Sequence, residues 1–211
     1  MKHLRTFCLL LVLSFAIGML GQASGNAPAA KPATPATQVQ TTPQPPPTIA
    51  GVVDQQISLL ERQVVAVAEA MPEDKFDFTP TQLNTKDSRD PVRSFALEVR
   101  HLATGNYGYW SPLTGDALPA GIKGPNGPED LKTKADIIKY LKDSFALGHK
   151  AAATLTAANV VEMVPTFRGP MPRLYVATFA VEHAYDHYGQ LVLFLRLNGI
   201  TPPGSRVAPP K

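Results

Sequence analysis

The chain has 211 residues, 44% of them apolar and 18% charged, enough for one globular domain with segments to spare. Its formal net charge of +3, with no basic stripe carrying interleaved aromatics, gives no case for nucleic acid. The single cysteine, Cys8, stands in a segment expected to be removed, which excludes a disulfide, a thiolate nucleophile or a Cys-ligated metal in the processed chain.

Residues 1–23 read as a cleaved secretory signal peptide: Lys2 and Arg5 precede an apolar run from Phe7 to Leu20, and small residues follow at Gly21, Ala23 and Ser24. The apolar run is shorter than the roughly 20 residues that span a bilayer, so no stable membrane insertion is expected after cleavage. The expected location is secreted or periplasmic. Loss of Lys2 and Arg5, with no acid, takes the 20 basic residues to 18 against 17 acidic ones, leaving a nearly neutral chain. Residues 24–50, rich in Pro, Ala and Thr, cannot bury a core and read as a disordered linker.

The helical domain is expected over 51–206, with a short tail at 207–211. Apolar residues at Val53, Ile57, Leu60, Val64, Val67 and Met71 alternate steps of four and three, the pattern of an amphipathic helix that Pro72 stops. Phe76 and Phe78 then sit in a loop expected to close one end of a bundle. Ser94 is the expected N-cap of a second helix running to about Trp110, with His101 at its middle. Thr104, Gly105 and Gly108 follow on the face of His101, where small residues leave room for a ligand or a close helix contact. Tyr107, Tyr109 and Trp110 are expected to close the core. Residues 111–130 form a long irregular connection that can cross the bundle or cover a site.

A third helix is expected from Thr133, paired with Asp136, to about Ala158, and residues 165–172 break the chain. A fourth runs from about Arg173 to Asn198, apolar on nearly every side, and is therefore expected to be the most buried. Its polar members, Glu182, His183, Asp186, His187 and Gln190, would then need partners. The fold class is all-α, a four-helix bundle with long connecting loops.

His183 and His187, four residues apart, share one helix face and can share one metal. If the second and fourth helices are neighbours, His101 joins them, and three imidazoles around Zn²⁺, Ni²⁺ or Fe²⁺ leave a coordination position open for water or substrate. Ala184 stands where a zincin needs its glutamate, and Glu98-Val-Arg-His101 is a single unit where a di-iron bundle needs two. Glu98 is a candidate base or ligand-orienting carboxylate, the alternative being a solvated helix charge. Gln190 is a candidate for holding a ligand ring or a water, the alternative being a packing amide. His149 is expected at the domain surface or boundary with nothing to pair it.

Three segments carry a resemblance: Phe95-Ala-Leu-Glu-Val-Arg-His101-Leu-Ala, His183-Ala-Tyr-Asp-His187-Tyr-Gly-Gln190, and Leu195-Arg-Leu-Asn-Gly199-Ile-Thr-Pro202. Together they resemble the DinB/YfiT-like family, which is unrelated to the polymerase sharing the name. The resemblance implies a four-helix bundle binding a divalent metal, zinc first with nickel or iron as alternatives, through His101, His183 and His187. Some relatives with further domains are thiol transferases that use bacillithiol or mycothiol, a cytosolic chemistry at odds with an exported chain. Asp186 stands where family members often carry a further histidine and is not an expected ligand. The resulting expectation is an exported mononuclear metalloenzyme activating water or another nucleophile on a small-molecule substrate, with a homodimer left open. The alternatives are a metal-stabilised binding or structural domain without catalysis, and a helical scaffold with three unrelated histidines.

Overall fold

The computed structural model describes residues 46–84, 86 and 91–206. The expected leader, most of the linker and the tail at 207–211 lie outside those residues. Four helices follow one another as α1 (Ile49–Ala70), α2 (Phe95–Thr114), α3 (Lys134–Ala153) and α4 (Arg173–Leu197). The fold is all-α, as expected. No helix among the described residues is long and apolar enough to cross a membrane.

Helix α1 begins a turn ahead of Val53, because the Thr48 hydroxyl accepts from the Gly51 N–H at 3.0 Å and starts the helix there. All six of its periodic apolar residues, Val53 through Met71, are buried. Ser94 caps α2 through the Leu97 N–H, as its position predicts. The helix outlasts Trp110 by a turn, through Pro112, until Gly115 at φ 76° closes it by donating to the Ser111 carbonyl. Thr133 caps α3 reciprocally: its hydroxyl accepts from the Asp136 N–H at 3.1 Å and donates to the Asp136 carboxylate at 2.6 Å. That helix stops at Ala153, short of Ala158. Asn159 accepts from the Thr156 N–H and donates to the Thr154 carbonyl, folding the chain back.

The expected break at 165–172 is the turn and second strand of a hairpin, β1 (Met163–Val164) against β2 (Met171–Pro172). Its two-residue strands are too short to show alternation in the sequence. At its tip, Thr166 and Gly169 exchange backbone hydrogen bonds, with Gly169 at φ 101°, so Phe167 and Arg168 form the turn.

Helix α2 packs between α3 and α4, and α1 packs against the same pair, so α2 and α4 are direct neighbours. Phe76 seals one end, edge-on to Phe95 with ring centres 5.3 Å apart. Trp110 and Tyr107 join the core, as predicted. The fourth helix departs from expectation. Only its face toward α1 and α2 is buried, and Tyr175, Tyr185, Leu193 and Leu197 are exposed because α3 scarcely touches it. Glu182 and Asp186 on that bare side reach solvent and need no partner.

His149 is half-buried at the α1–α3 seam and is not unpaired: Nδ1 meets the Asp54 carboxylate at 2.6 Å and Nε2 meets Glu61 at 3.0 Å. Burial works against its protonation, but the bonds to Asp54 and Glu61 and their charges outweigh this, and its pKa is raised. Between the ordinary imidazole value of about 6.5 and the raised one, the folded state binds the extra proton, so stability falls as pH rises across that window. Denaturant melts at pH 6 and pH 9 should show this loss in the wild type and a smaller one in His149→Ala; equal slopes would contradict it.

Candidate metal centre

The α2–α4 contact brings His101 against His183 and His187, with donor atoms from all three within 4.8 Å of one another. The ring of His187 lies 4.6 Å, centre to centre, from His101 and 4.4 Å from His183. Two of the rings are oriented from behind. His101 Nδ1 donates to the Pro125 carbonyl at 2.8 Å, and since that oxygen can only accept, Nε2 carries a free lone pair. His187 Nδ1 donates to the Glu98 carboxylate, which leaves its Nε2 facing His183 Nε2 at 3.1 Å.

Two nitrogens sharing a tetrahedral ion at bond lengths of about 2.0–2.1 Å would sit roughly 3.3 Å apart, near the separation found here. The donor set therefore fits a divalent ion that accepts imidazoles, and the same chemistry suits zinc, nickel or iron. The site's electrostatics favour neutral ligands. Burial, with the charges of His187 and His101, pushes the His183 pKa down to about 4, and burial with the Arg93 and His187 charges lowers that of His101. A metal need not displace a proton from either at neutral pH.

Glu98 is not a solvated charge. It is 1% exposed, between His187 and Arg93, whose guanidinium lies 3.4 Å away and also donates to Asn126 at 2.9 Å. Burial pushes its carboxyl up, but the bond to His187 and the charges of His187, Arg93 and His101 outweigh that and hold its pKa low. The ionised form is thus the one that orients His187. Gln190 turns outward, donating to Asp186 at 3.3 Å and touching His187 on its Nδ1 edge at 3.4 Å, the edge away from the three-ring centre. Asp186 is exposed, and His149 belongs to the other seam.

The small residues on α2 have a specific use. A Cβ on Gly105 would stand 2.4 Å from His183 Cε1, so the absent side chain is the space the imidazole fills. Tyr109 joins the core as expected and also meets the His183 ring edge-to-face at 5.5 Å and lines a cavity of about 570 Å³ beside the histidines. The 115–133 connection forms one wall with Leu118, Ile122 and Lys123, so it covers the site mouth. It is fastened to α2 by Pro125 on His101 and by the Arg100 guanidinium, which donates to the Pro128 carbonyl at 2.5 Å. The hairpin tip, Phe167 and Arg168, adds to the rim. Sequence reading missed these rim residues, since neither segment shows periodicity.

No curated protein matches the chain. Its fold resembles that of a DinB-like protein from Bacillus cereus, with a TM-score of 0.56 and 15% sequence identity over 75% of this chain and 98% of that one. The profile of the DinB superfamily matches residues 56–191, a span that takes in all three histidines, Glu98 and the cavity walls. That span is more than half of the 211 residues, and the chain belongs to the DinB superfamily.

Proposed function

We propose that the chain is an exported metalloprotein in which His101, His183 and His187 hold one divalent ion, zinc first, at the floor of a cavity that admits a small-molecule substrate. The carrying observation is that His101 and His187 each have Nδ1 engaged from behind, leaving Nε2 lone pairs that converge with His183 beside the cavity. A divalent ion held there supplies Lewis-acid activation of water or another small nucleophile. The chain's own residues do the positioning. Glu98 and the Pro125 carbonyl set two tautomers, Gly105 makes room for the third ring, and Tyr109 holds that ring edge-on. Export is supported by the basic start and apolar run of residues 1–20.

The full chain purified without chelator is expected to carry about one equivalent of divalent metal, and His183→Ala far less. Metal analysis finding none in the wild type, or equal amounts in both, would rule the reading out. A second reading, a metal-stabilised domain without catalysis, is favoured by one observation: among the described residues no Asp or Glu lines the cavity, so none of their carboxylates faces it as a general base. Under that reading metal removal lowers the melting temperature while no metal-dependent turnover appears, and a single reproducible one excludes it.

A further inference from the structure

Among the described residues, the charged side chains lining the cavity are of one sign: Lys123 from the covering loop and Arg168 from the hairpin tip, with no acidic residue. Neither cation forms an ion pair among the described residues. Arg168 is nonetheless held in place: the tight Thr166–Gly169 turn sets its backbone, and its guanidinium carbon lies 5.4 Å from the Phe179 ring centre and 5.8 Å from that of Phe167. Stacking on aromatic faces fixes the group without neutralising it, so its donors remain available to a planar, bidentate acceptor. Apart from Thr104 and the ligand candidates His101 and His183, the other side chains of the wall are apolar or aromatic, including Tyr109, Leu118, Ile122 and Phe167. Phe167 is 69% exposed, so its ring is open to contact from the cavity it lines.

We propose that the cavity takes an organic carboxylate with an apolar, aromatic-sized body, its head group on Arg168 and Lys123 and its body against Tyr109, Ile122 and Phe167. This deepens the metal-site reading by naming the substrate class, since Glu98 would offset only part of a bound divalent ion's charge and the remainder would add to the pull on an anion. The volume of about 570 Å³ accommodates a two-ring molecule. The geometry assigns Arg168 to substrate recognition at the cavity rim.

The test uses 2-naphthoate and its neutral counterpart 2-naphthamide, titrated calorimetrically into the full chain with zinc added and after chelator treatment. Naphthoate is expected to bind about tenfold more tightly than the amide in both forms, the worth of one charge-assisted pair. Arg168→Gln with Lys123→Gln is expected to remove that preference while leaving metal content unchanged; both side chains are exposed, so the double variant keeps its fold. Equal binding of acid and amide overturns the proposal. So does a preference that survives the double variant but disappears on stripping, because the carboxylate then sits on the metal alone. A chain that binds no zinc yet keeps an Arg168-dependent preference supports it and counts only against the metal reading.

Discussion

Gly105→Ala is expected to reduce zinc affinity about 100-fold while the four helices still form, a loss on the scale produced when a functional group is displaced by about 1 Å. The new methyl carbon would lie 2.4 Å from His183 Cε1 and 2.9 Å from Nδ1, distances that real carbons do not adopt. The open direction left to the ring is the cavity it lines, away from the three-ring centre. Tyr109 bears on it edge-to-face at 5.5 Å, and His187 Nε2 is 3.1 Å from its Nε2. It must rotate out of the three-ring arrangement. The backbone, by contrast, gains from the change, since alanine is favoured over glycine in a helix by roughly 1 kcal/mol. Affinity measured by chelator competition, alongside circular dichroism, separates loss of the site from loss of the fold. Gly108→Ala is the control: its Cβ would meet Phe167 at 3.5 Å, an ordinary contact, and wild-type affinity is expected. Should Gly105→Ala bind zinc as tightly as wild type, the placement of His183 in the centre would be wrong.

Glu98→Gln is expected to weaken zinc binding by about 10- to 100-fold, the usual effect of altering a group that orients a metal-bound imidazole. The amide oxygen can still accept from His187 Nδ1–H, so the ring keeps its tautomer, but the ionised carboxylate that raises its basicity is gone. Glu98→Ala should do more, because it also removes the acceptor. His187 is buried and would be left with an unpaired N–H, worth about 1–3 kcal/mol of folding stability. Arg93 adds little to that penalty, since its side chain is 33% exposed and can turn to water. Urea melts of the metal-free Ala variant should show the destabilisation, and the Gln variant a smaller one. If both variants bind and melt like wild type, the Glu98–His187 bond has no orienting role.

Helix by helix, the readable part was the part governed by local periodicity and capping. The six apolar positions of α1 and the caps at Ser94 and Thr133 lie where residue type alone puts them. The histidines were legible for a related reason: His183 and His187 are one turn apart, and Glu98 and His101 are also a turn apart, so spacing places each pair on one face before any packing is known. Gly105 and Gly108 were visible as small residues with no reason to be in a plain core helix.

What escaped the sequence depends on partners far away along the chain. Nothing local distinguishes a solvated Glu98 from one 1% exposed beneath His187, 89 positions later, nor a lone His149 from one clasped by Asp54 and Glu61. The apolar circumference of α4 predicted full burial, yet its outer face is bare because which helices become neighbours is decided by the whole bundle.

The amino-acid sequence by itself thus determined four helices, the caps of two of them and three histidines on two faces, because these follow from the geometry of a single turn. Only the tertiary structure decided that α2 and α4 touch, that Pro125 and Glu98 orient two of the rings, and that Lys123 and Arg168 rim the cavity beside them. The physical reason is that a loop carbonyl, a buried carboxylate and a hairpin tip have no period to read. They acquire their positions only when distant segments pack together.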